Sequence, residues 1–328
     1  MRAVLSYPNK KEWNAFVEKN GGSFLQSFQW GELHSRVEKG VIYCCVKEGE
    51  STILQALVTR WTFPLGTHLA IFLGPVVSRH ATQSQYKEAM KVLVQELSLE
   101  AKKEKDVFLR VEPARELPSE ISWEVPVRRV QPSCTRVLDL SLSYEEVYAN
   151  FHKNTRYSAR TAEKKGVRIS SISGYDPSFF KLLKKTATRQ RFYSHKESYY
   201  KELCKTLKGD VESRLFLAKK EDRVVAVAIV VFAFSRATLL HAASDYEARD
   251  LLAPHLLQAK IIQEAKERGC VEYDFWGVDN EKYAGTSLFK KRFGGQEMSY
   301  PIGGELPFSN VWYTIYKSVR KFRRIFSL

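Results

Sequence analysis

The stretch from Ser287 to Gln296, SLFKKRFGGQ, places two lysines, an arginine and a double glycine close together near the end of the chain. An amine in such a cluster can stand where negative charge forms during a reaction, and a single preorganised donor of this kind contributes about 3 kcal/mol. The same cluster can also be a solvated helix end, because exposed lysine is the common case. Residue types alone leave both interpretations open.

A second basic cluster lies between Lys153 and Arg168, where Glu163 is the only acidic residue. A helix with such a face can follow a row of phosphates, and each neutralised phosphate makes binding more dependent on salt. A solvated helix face is the alternative interpretation. The cluster contains Lys153, Arg156, Arg160, Lys164, Lys165 and Arg168.

The composition fits a folded basic protein. The chain has 328 residues, 44% of them hydrophobic, and 52 Lys+Arg against 37 Asp+Glu give a net charge of +15. This charge indicates a polyanionic partner, a membrane surface or anionic substrates, without choosing among them. The N-terminus lacks a signal-like apolar run and no apolar segment is long enough to cross a bilayer, so the sequence predicts a cytoplasmic protein.

Several familiar chemistries have no motif here. The sequence lacks the P-loop, the G-x-G-x-x-G dinucleotide fingerprint, H-E-x-x-H and the G-x-S-x-G elbow. The seven histidines show no metal spacing, and the five cysteines are odd in number without a C-x-x-C pair. We therefore expect neither a cofactor nor a metal, and we expect reduced cysteines.

The elements that must position these residues follow one order twice. In the first half a short helix precedes strands at 41 to 47, 52 to 61 and 68 to 77, then a helix opened by the Thr82 and Gln85 capping box, then a strand at 106 to 113. From Cys134 the order of strands, long helix and strand returns, with a second capping box at Ser143 and Glu146. The long helix is expected from about 249 to 268. The length also favours about two domains.

The last segment, from Ser309 to Phe326, has a helical pattern with one predicted apolar face. We expect this helix to dock that face on the protein. The predicted face carries Trp312, Ile315, Tyr316, Val319, Phe322 and Phe326, with Lys317, Arg320, Lys321, Arg323 and Arg324 elsewhere. These cations could contact RNA, an anionic membrane surface or neither.

Four segments together resemble the Fem family of peptidoglycan bridge-forming aminoacyltransferases in order and approximate spacing. They are FLQSFQWGELH (24 to 34), NFHKNTRYSARTAEKKGV (150 to 167), VEYDFWGV (271 to 278) and AGTSLFKKRFGG (284 to 295). The resemblance spans nearly the whole chain. It implies an α/β chain of the α+β type, with two tandem domains resembling the GNAT N-acetyltransferase fold, each a mixed and mostly antiparallel sheet flanked by helices.

With this resemblance, the expected domains are 1–133 plus 309–328, where the last helix returns to the first domain, and 134–308. The stretch from Pro177 to Leu207 has room only for ordinary domain helices, so the chain resembles the compact form of the family without a helical arm. The implied function is transfer of an amino acid from aminoacyl-tRNA to an amine on the stem peptide of UDP-MurNAc-pentapeptide or lipid II. The protein would be a monomer, with peripheral contact to the inner membrane surface left open.

The resemblance also implies roles for particular residues. Lys290 matches the lysine of the family's F-K pair, which holds the ester oxygen as it becomes negative, and Phe289 precedes it in the substrate site. Lys291 and Arg292 become tRNA or surface contacts. The basic helix becomes a tRNA surface through Lys153, Arg156, Arg160, Lys164 and Lys165.

On the acceptor side, Glu112 falls where the family often has Asp before Pro. It could take the proton of the amine, orient the stem peptide or pair with Arg110. Arg189 and Tyr193 match an arginine and a tyrosine that grip the diphosphate of the precursor, with an exposed helix end as the alternative. His34 stands where relatives often carry a basic residue, and the resemblance makes it a candidate substrate contact.

Two other classes of function stay open. An acetyl-CoA-dependent N-acyltransferase would need a Gly-rich turn at a helix N-terminus, and the corresponding stretch SDYEARDLLAPHLL has no glycine. A purely RNA-binding protein would explain the charge but leaves the F-K-x-x-F-G-G element unused. Within the family, a polysaccharide-linked acceptor is a further alternative to the stem peptide.

Overall fold

The computed structural model describes residues 1–37, 40–190, 192–279 and 281–326, with side chains up to 321 in the last helix. The chain divides into two compact units. Unit 1 consists of Met1–Ser133 together with Tyr300–Leu328, and unit 2 is Cys134–Ser299.

Unit 1 is a mixed sheet with helices packed against it. Its helices are α1 (Lys10–Lys19), α2 (Phe28–Val37), α3 (Gln83–Glu104) and α10 (Asn310–Phe326). Its strands are β1 (Arg2–Leu5), β2 (Gly40–Glu48), β3 (Ser51–Phe63), β4 (Gly66–Phe72), β5 (Val76–Val77), β6 (Phe108–Glu112) and β14 (Gly304–Pro307). The sheet order is β1-β2-β3-β4-β6-β14, with β5 beside β3. Neighbours are antiparallel except β4 and β6, which run parallel because α3 carries the chain back between them.

The helix α3 forms where its sequence predicts it. The Thr82 hydroxyl accepts from the Gln85 N–H and the Gln85 side chain accepts from the Thr82 N–H, so the capping box is complete. Tyr86, Met90 and Leu93 from its apolar face are buried against the sheet. This packing forms the main core of unit 1.

The C-terminal helix is tied to the sheet of unit 1 by a buried polar network. Arg110 on β6 forms an ion pair with Glu305 on β14, and its Nη2 donates to the Tyr316 hydroxyl at 2.8 Å. The Tyr313 hydroxyl donates to the other Glu305 oxygen at 2.8 Å. Because every charge in this network has a partner, it fixes β14 and α10 against β6.

Unit 2 repeats this architecture. Its helices are α4 (Tyr144–Ala149), α5 (Lys153–Lys164), α6 (Pro177–Gln190), α7 (Glu197–Thr206), α8 (Ala253–Glu267) and α9 (Ala284–Lys291). Its strands are β7 (Cys134–Asp139), β8 (Val167–Ile172), β9 (Val211–Lys220), β10 (Arg223–Ala233), β11 (Arg236–Ser244), β12 (Glu272–Asp274) and β13 (Gln296–Ser299). The order is β13-β7-β12-β11-β10-β9-β8, with β11 and β12 parallel on either side of the α8 connection.

The second half has the strands, long helix and following strand that the sequence predicts, and it also contains β8 and β13, which were not predicted. One predicted bound differs. Helix α8 begins at Ala253 rather than near 249, after a 3-10 turn at Tyr246–Leu251. Leu252 has a left-handed φ of 56°, which interrupts the helix, and Pro254 then lies in the first turn, where it needs no backbone donor.

The predicted return to the first domain at 309 is too late. Tyr300–Pro307 already belongs to unit 1, because β14 pairs antiparallel with β6 from Gly304↔Val111 to Pro307↔Phe108. A strand of four residues that begins at the second of two glycines has too little apolar periodicity to be recognised.

The structure also bears on membrane insertion. Within the described ranges, no helix combines the length and the apolar character that crossing a bilayer requires.

Candidate functional site

Lys290 lies in the last turn of α9, whose start is fastened to the loop that follows β12. The buried Ser287 hydroxyl donates to the Asp279 carbonyl at 2.9 Å and accepts from the Asp279 N–H at 3.0 Å. These two bonds fix the rotation of the short helix, and with it the direction of the Lys290 side chain.

The Lys290 ammonium is held by two backbone carbonyls. Its Nζ donates to the Trp276 carbonyl oxygen at 2.5 Å and to the Gly277 carbonyl oxygen at 2.6 Å. An ammonium has three N–H donors, so this cradle leaves one of them for a ligand.

The turn that provides these carbonyls has an unusual backbone. Trp276 has a φ of 53°, in the left-handed region that bulky residues rarely adopt. The Trp276 N–H donates to Asp274 Oδ1 at 2.7 Å, and the Thr135 hydroxyl donates to the same oxygen. Asp274, which is almost fully buried, thus holds the turn in the conformation that aims its carbonyls at Lys290.

The two ionisable groups influence each other through the low-dielectric interior. Burial lowers the pKa of Lys290 to about 8, and the nearby negative charge of Asp274 opposes that decrease. Burial raises the pKa of Asp274, opposed by the bonds from Thr135 and Trp276 and by the charge of Lys290. Lys290 therefore titrates close to neutral pH, unlike an exposed lysine.

The double glycine after α9 has a structural role. Gly294 and Gly295 have φ values of 87° and 74°, and a Cβ on Gly295 would lie 2.4 Å from the Val137 carbonyl oxygen. The Arg136 side chain donates to the Gly295 carbonyl at 2.7 Å. This turn seats the end of α9 on β7, so the F-G-G part of the motif supports the helix that carries Lys290.

Phe289 was predicted to lie in the substrate site. Its ring packs against the core of unit 2, with centroids 5.1 Å from both the Phe293 and His255 rings. The contacts of its side chain in the structure are therefore packing contacts that fix α9.

The two basic clusters of the sequence meet in unit 2. The His152 N–H, at the start of α5, donates to the Arg292 carbonyl oxygen at 2.7 Å, so the end of α9 adjoins the start of α5. Lys291, Arg292 and Lys153 are all exposed there. The exposed Arg160 and Lys164 continue the basic surface along α5, a helix of 12 residues that is about 18 Å long.

Two residues of this predicted surface also have structural contacts. Arg156 Nη1 donates to the Phe151 carbonyl oxygen at 2.5 Å and to that of Ala149, which ties α5 to the end of α4. Lys165 Nζ donates to the Asp250 carbonyl oxygen at 2.7 Å. Substituting either residue would therefore change unit 2 as well as its surface charge.

Arg189 and Tyr193 are exposed at the end of α6 and beyond it. The Arg189 guanidinium lies 5.1 Å from the Tyr246 ring centroid, and Arg249 lies 4.7 Å from the same centroid. Two cations therefore flank one aromatic ring, and Tyr246 and Arg249 were not identified as site residues from the sequence. Both residues lie in the SDYEARD stretch, where an aromatic residue three positions before an arginine was the available signal.

Glu112 is fully buried in unit 1. Its two carboxylate oxygens accept from the Val130 N–H at 2.7 Å and from the Gln131 N–H at 2.6 Å, while burial raises its pKa. The suggested pairing with Arg110 is wrong for the described residues, since the carboxylate partner of Arg110 is Glu305. In this structure Glu112 holds the 130–131 backbone.

His34 was predicted to contact substrate. It is 3% exposed within unit 1, with its ring 5.2 Å from that of Trp30 and 5.5 Å from that of Trp61. In this structure the His34 ring is packed among aromatic side chains, and its contact with substrate stays a prediction. His34 follows WGEL on α2, and the helical repeat turns it to the apolar side.

Asp274 and Thr135, which support the Lys290 cradle, were also not identified from the sequence. Asp274 was inside the quoted VEYDFWGV segment, but periodicity does not tell which carboxylate supports a neighbouring turn. Among the described residues, no cluster of histidine, cysteine and carboxylate side chains could hold a metal.

Comparisons with known proteins agree with this architecture. A lipid II:glycine glycyltransferase of Staphylococcus haemolyticus is 23% identical over 89% of this chain and 90% of its own length. The crystal structure of FemX matches with a TM-score of 0.78 at 21% identity, covering 97% of this chain and all of that one. A tandem GNAT protein from the clavulanic acid biosynthesis pathway matches with a TM-score of 0.56 at 12% identity, covering 94% of this chain and 98% of that one. The predicted fold class is thereby confirmed.

A family model covers nearly the whole length of the chain. The model of the FemAB family matches residues 9–128, 122–219 and 211–321, and these ranges include the Lys290 cradle, the basic helix α5 and the buried Glu112. This chain is a member of the FemAB family.

Proposed function

We propose that this protein transfers an amino acid from aminoacyl-tRNA to an amine on the stem peptide of a peptidoglycan precursor, either UDP-MurNAc-pentapeptide or lipid II. The observation that carries the proposal is the Lys290 ammonium, oriented by two carbonyls with one donor left. The names of the staphylococcal relatives support a lipid-linked acceptor and a bridge-forming reaction.

The reaction is aminolysis of an ester that is already activated. The amine nitrogen attacks the ester carbonyl carbon, and the carbonyl oxygen becomes an oxyanion to which Lys290 donates its remaining N–H. The bond from the carbonyl carbon to the ribose oxygen then breaks, and the proton lost by the amine ends on that oxygen, directly or through water. An enzyme nucleophile is unnecessary, so the protein contributes orientation and charge.

The basic surface of α5 and α9 is the proposed tRNA contact. Its exposed cations adjoin the helix that carries Lys290, through the bond between His152 and Arg292. Phosphates bound there would bring an attached aminoacyl ester toward the same end of unit 2. The proposed contacts are Lys153, Arg156, Arg160, Lys164, Lys165, Lys291 and Arg292.

On the acceptor side, we propose that Arg189 and Tyr193 bind the diphosphate of the precursor. The guanidinium of Arg189 can donate in pairs to phosphate oxygens, and it is exposed beside Tyr246. We assign Glu112 a positioning role, because both of its oxygens already accept backbone N–H groups. The proposed protein is a cytoplasmic monomer that meets its lipid-linked acceptor at the inner membrane surface.

Substitution of Lys290 tests the proposal. With purified protein, labelled aminoacyl-tRNAs and muropeptide precursor with and without its lipid, Lys290→Met should lower the single-turnover transfer rate on the order of a hundredfold or more. Precursor affinity should change little, because the lost interaction forms mainly in the transition state. Lys290→Arg should restore activity only in part, since the planar guanidinium does not fit the same cradle.

Lys291→Met is the matched control, because it removes the neighbouring exposed cation. It should leave the rate at saturation nearly unchanged and act only on tRNA affinity. Near-normal transfer by Lys290→Met with both substrates saturating would refute the assigned role. Acetyl-CoA as donor should give no transfer, since the stretch before α8 has no glycine to receive its pyrophosphate.

The tRNA surface has its own test. Replacing Lys153, Arg160 and Lys164 by alanine should weaken tRNA binding and reduce the slope of log affinity against log salt by up to about 3, near one for each lost phosphate contact. Arg156 is left intact because it ties α5 to α4. The control replaces the exposed Lys181, Lys184 and Lys205 of α6 and α7. An equal loss in both triple variants would show that tRNA responds only to net charge.

A further inference from the structure

The C-terminal helix α10 has two apolar rows, and unit 1 covers only one of them. Tyr313 and Tyr316 are 2% and 3% exposed, and their rings pack around Phe108 with centroids 5.4 and 4.7 Å away. The single apolar face predicted from the sequence is therefore wrong. Of the residues predicted for that face, Tyr316 alone is buried among those whose side chains the structure describes. Phe322 and Phe326 belong to the end of the helix, where side chains are outside the described part.

The second row faces away from the sheet. Val311 is 70% exposed, Trp312 49%, and Ile315 and Val319 37% each. Val311, Ile315 and Val319 are four residues apart, so they form one line along the helix, and Trp312 lies beside it. Single exposed apolar residues are ordinary, but a continuous line of them marks an interaction surface. We call these four residues the helix-10 surface.

The charge on the same helix is entirely positive. The sequence from Asn310 to Phe326 contains no acidic residue, and its cations are Lys317, Arg320, Lys321, Arg323 and Arg324. Lys321 is exposed, and Arg320 lies over the Tyr316 ring at 5.7 Å. Lys317 forms an ion pair with Glu124. An exposed apolar row on a helix whose charged residues are all cations is the pattern of a helix that lies in the interface of an anionic membrane.

A groove beside the start of α10 extends this surface. It has a volume of about 510 Å³, and its lining includes Trp312, the exposed Leu65, Lys105 and Arg60, with Glu104 also present. Arg60 Nε is shared between both oxygens of Asp106, while its buried Nη2 has no hydrogen-bond partner among the residues that the structure describes. The groove therefore places the cationic Arg60 and Lys105 next to the apolar Leu65 and Trp312. This arrangement suits a lipid whose phosphate binds the cations and whose acyl chain lies against the apolar side chains.

We propose that the helix-10 surface binds an anionic lipid bilayer, with α10 lying in the plane of the membrane interface. The aliphatic row decides between lipid and RNA, because Val and Ile side chains gain little on a phosphate backbone but partition into the acyl boundary. The proposed function has the protein meet its lipid-linked acceptor at the membrane, and the helix-10 surface is the part of the protein that would bind there. This binding does not depend on Lys290. It gives unit 1 a function separate from the chemistry of unit 2.

Vesicle binding by the full chain tests the proposal. The protein should co-sediment with vesicles of equal parts phosphatidylcholine and phosphatidylglycerol, and much less with pure phosphatidylcholine. The triple change Val311→Ser, Ile315→Ser and Val319→Ser should weaken this binding about tenfold or more, because it removes the apolar row. Unfolding curves should stay close to those of the wild type, since all three side chains are exposed.

A matched control places the same kind of change elsewhere. Leu142→Ser with Val271→Ser replaces exposed apolar residues of unit 2 and should leave vesicle binding unchanged. Quenching of tryptophan fluorescence by brominated lipid should be largely lost in Trp312→Phe, because Trp312 lies at the surface in question. Transfer to soluble UDP-MurNAc-pentapeptide should be equal in the wild type and the triple variant, which separates this test from that of the proposed reaction.

Three results would overturn the inference. The first is wild-type vesicle binding by the triple serine variant, and the second is an absence of binding to anionic vesicles by the intact protein. The third is a triple variant that loses tRNA affinity while keeping its lipid affinity, which would assign the helix-10 surface to RNA.

Discussion

At the scale of single residues, the site depends on the turn at Trp276 and Gly277, whose carbonyl oxygens accept from the Lys290 ammonium. Lys290 was found from its motif, because an F-K pair before a double glycine is a local pattern that sequence carries. Its support was not found, since the carbonyls of Trp276 and Gly277 carry no side-chain signature and Asp274 acts through a backbone N–H. The burial of His34 was missed for a related reason: a basic residue type does not reveal which side of α2 is buried.

The pH dependence of transfer should report the charge of Lys290. Its pKa of about 8 means that the ammonium is present below that pH and lost above it. The ratio of the wild-type rate to the Lys290→Arg rate should therefore fall as pH rises through about 8, because arginine stays protonated. Single-turnover rates with both substrates saturating measure this ratio, in which the titration of the acceptor amine cancels.

In an Asp274→Asn background, the decrease in transfer rate that follows deprotonation of Lys290 should occur at lower pH. The negative charge of Asp274 raises the pKa of Lys290, so its removal leaves the desolvation effect less opposed. Asp279→Asn is the control, because that side chain is exposed and accepts only from the N–H groups of Glu281 and Lys282 among its described contacts. An unchanged midpoint in Asp274→Asn would argue against electrostatic support of Lys290.

At the scale of elements, helices with one buried side were predictable and helices with two apolar rows were not. The capping box of α3 predicts where the helix starts, and the spacing of its apolar residues predicts its buried face. Only one side of α3 is apolar, so only that side can pack against the sheet. In α10 the apolar residues cover two adjoining arcs, and periodicity does not say which arc meets the sheet. The hydroxyls of Tyr313 and Tyr316 decide it, since both bond within the Arg110 and Glu305 network.

The turn after α9 should be intolerant of a side chain. Gly295→Ala would place a Cβ 2.4 Å from the Val137 carbonyl oxygen at a φ of 74°, so it should lower the free energy of unfolding by about 2 kcal/mol or more. Gly285→Ala, inside α9 with no atom within 4 Å of the added Cβ, should be neutral or stabilising by up to about 1 kcal/mol. Denaturant unfolding compares the two, and equal effects would contradict the steric account.

At the scale of the whole molecule, the sequence predicted the duplication. It predicted only in part where the C-terminal segment returns to unit 1. Among the strands that the structure describes, each sheet contains one parallel pair, β4 with β6 and β11 with β12, joined through a long helix. The repeated order of elements predicts this arrangement. The position of β14 was not predictable, because its partner β6 lies far away in sequence and a short edge strand has no pattern of its own.

Unit 1 should be sensitive to acid through His68. This imidazole is buried against Phe108, and burial lowers its pKa from 6.5 to about 3. Between these values the unfolded state binds more protons than the folded state, so stability is present above pH 6.5 and is lost as pH falls toward 3. His68→Phe, which keeps a ring beside Phe108, should lose less stability than the wild type over that window. Parallel stability curves for the two proteins would contradict this prediction.

Unit 1 is built from two segments of the chain that are synthesised at different times. Unit 2 is one continuous segment, whereas unit 1 needs β14 and α10, which leave the ribosome only after unit 2. At about 5 to 20 residues per second, the nascent residues up to Ser133 wait roughly 10 to 40 s for these partners. During that time β6 is an open sheet edge and Arg110 lacks the carboxylate that neutralises it. The second unit to be translated is therefore the first that can fold completely, and the N-terminal segment is the client that a nascent-chain chaperone would have to protect.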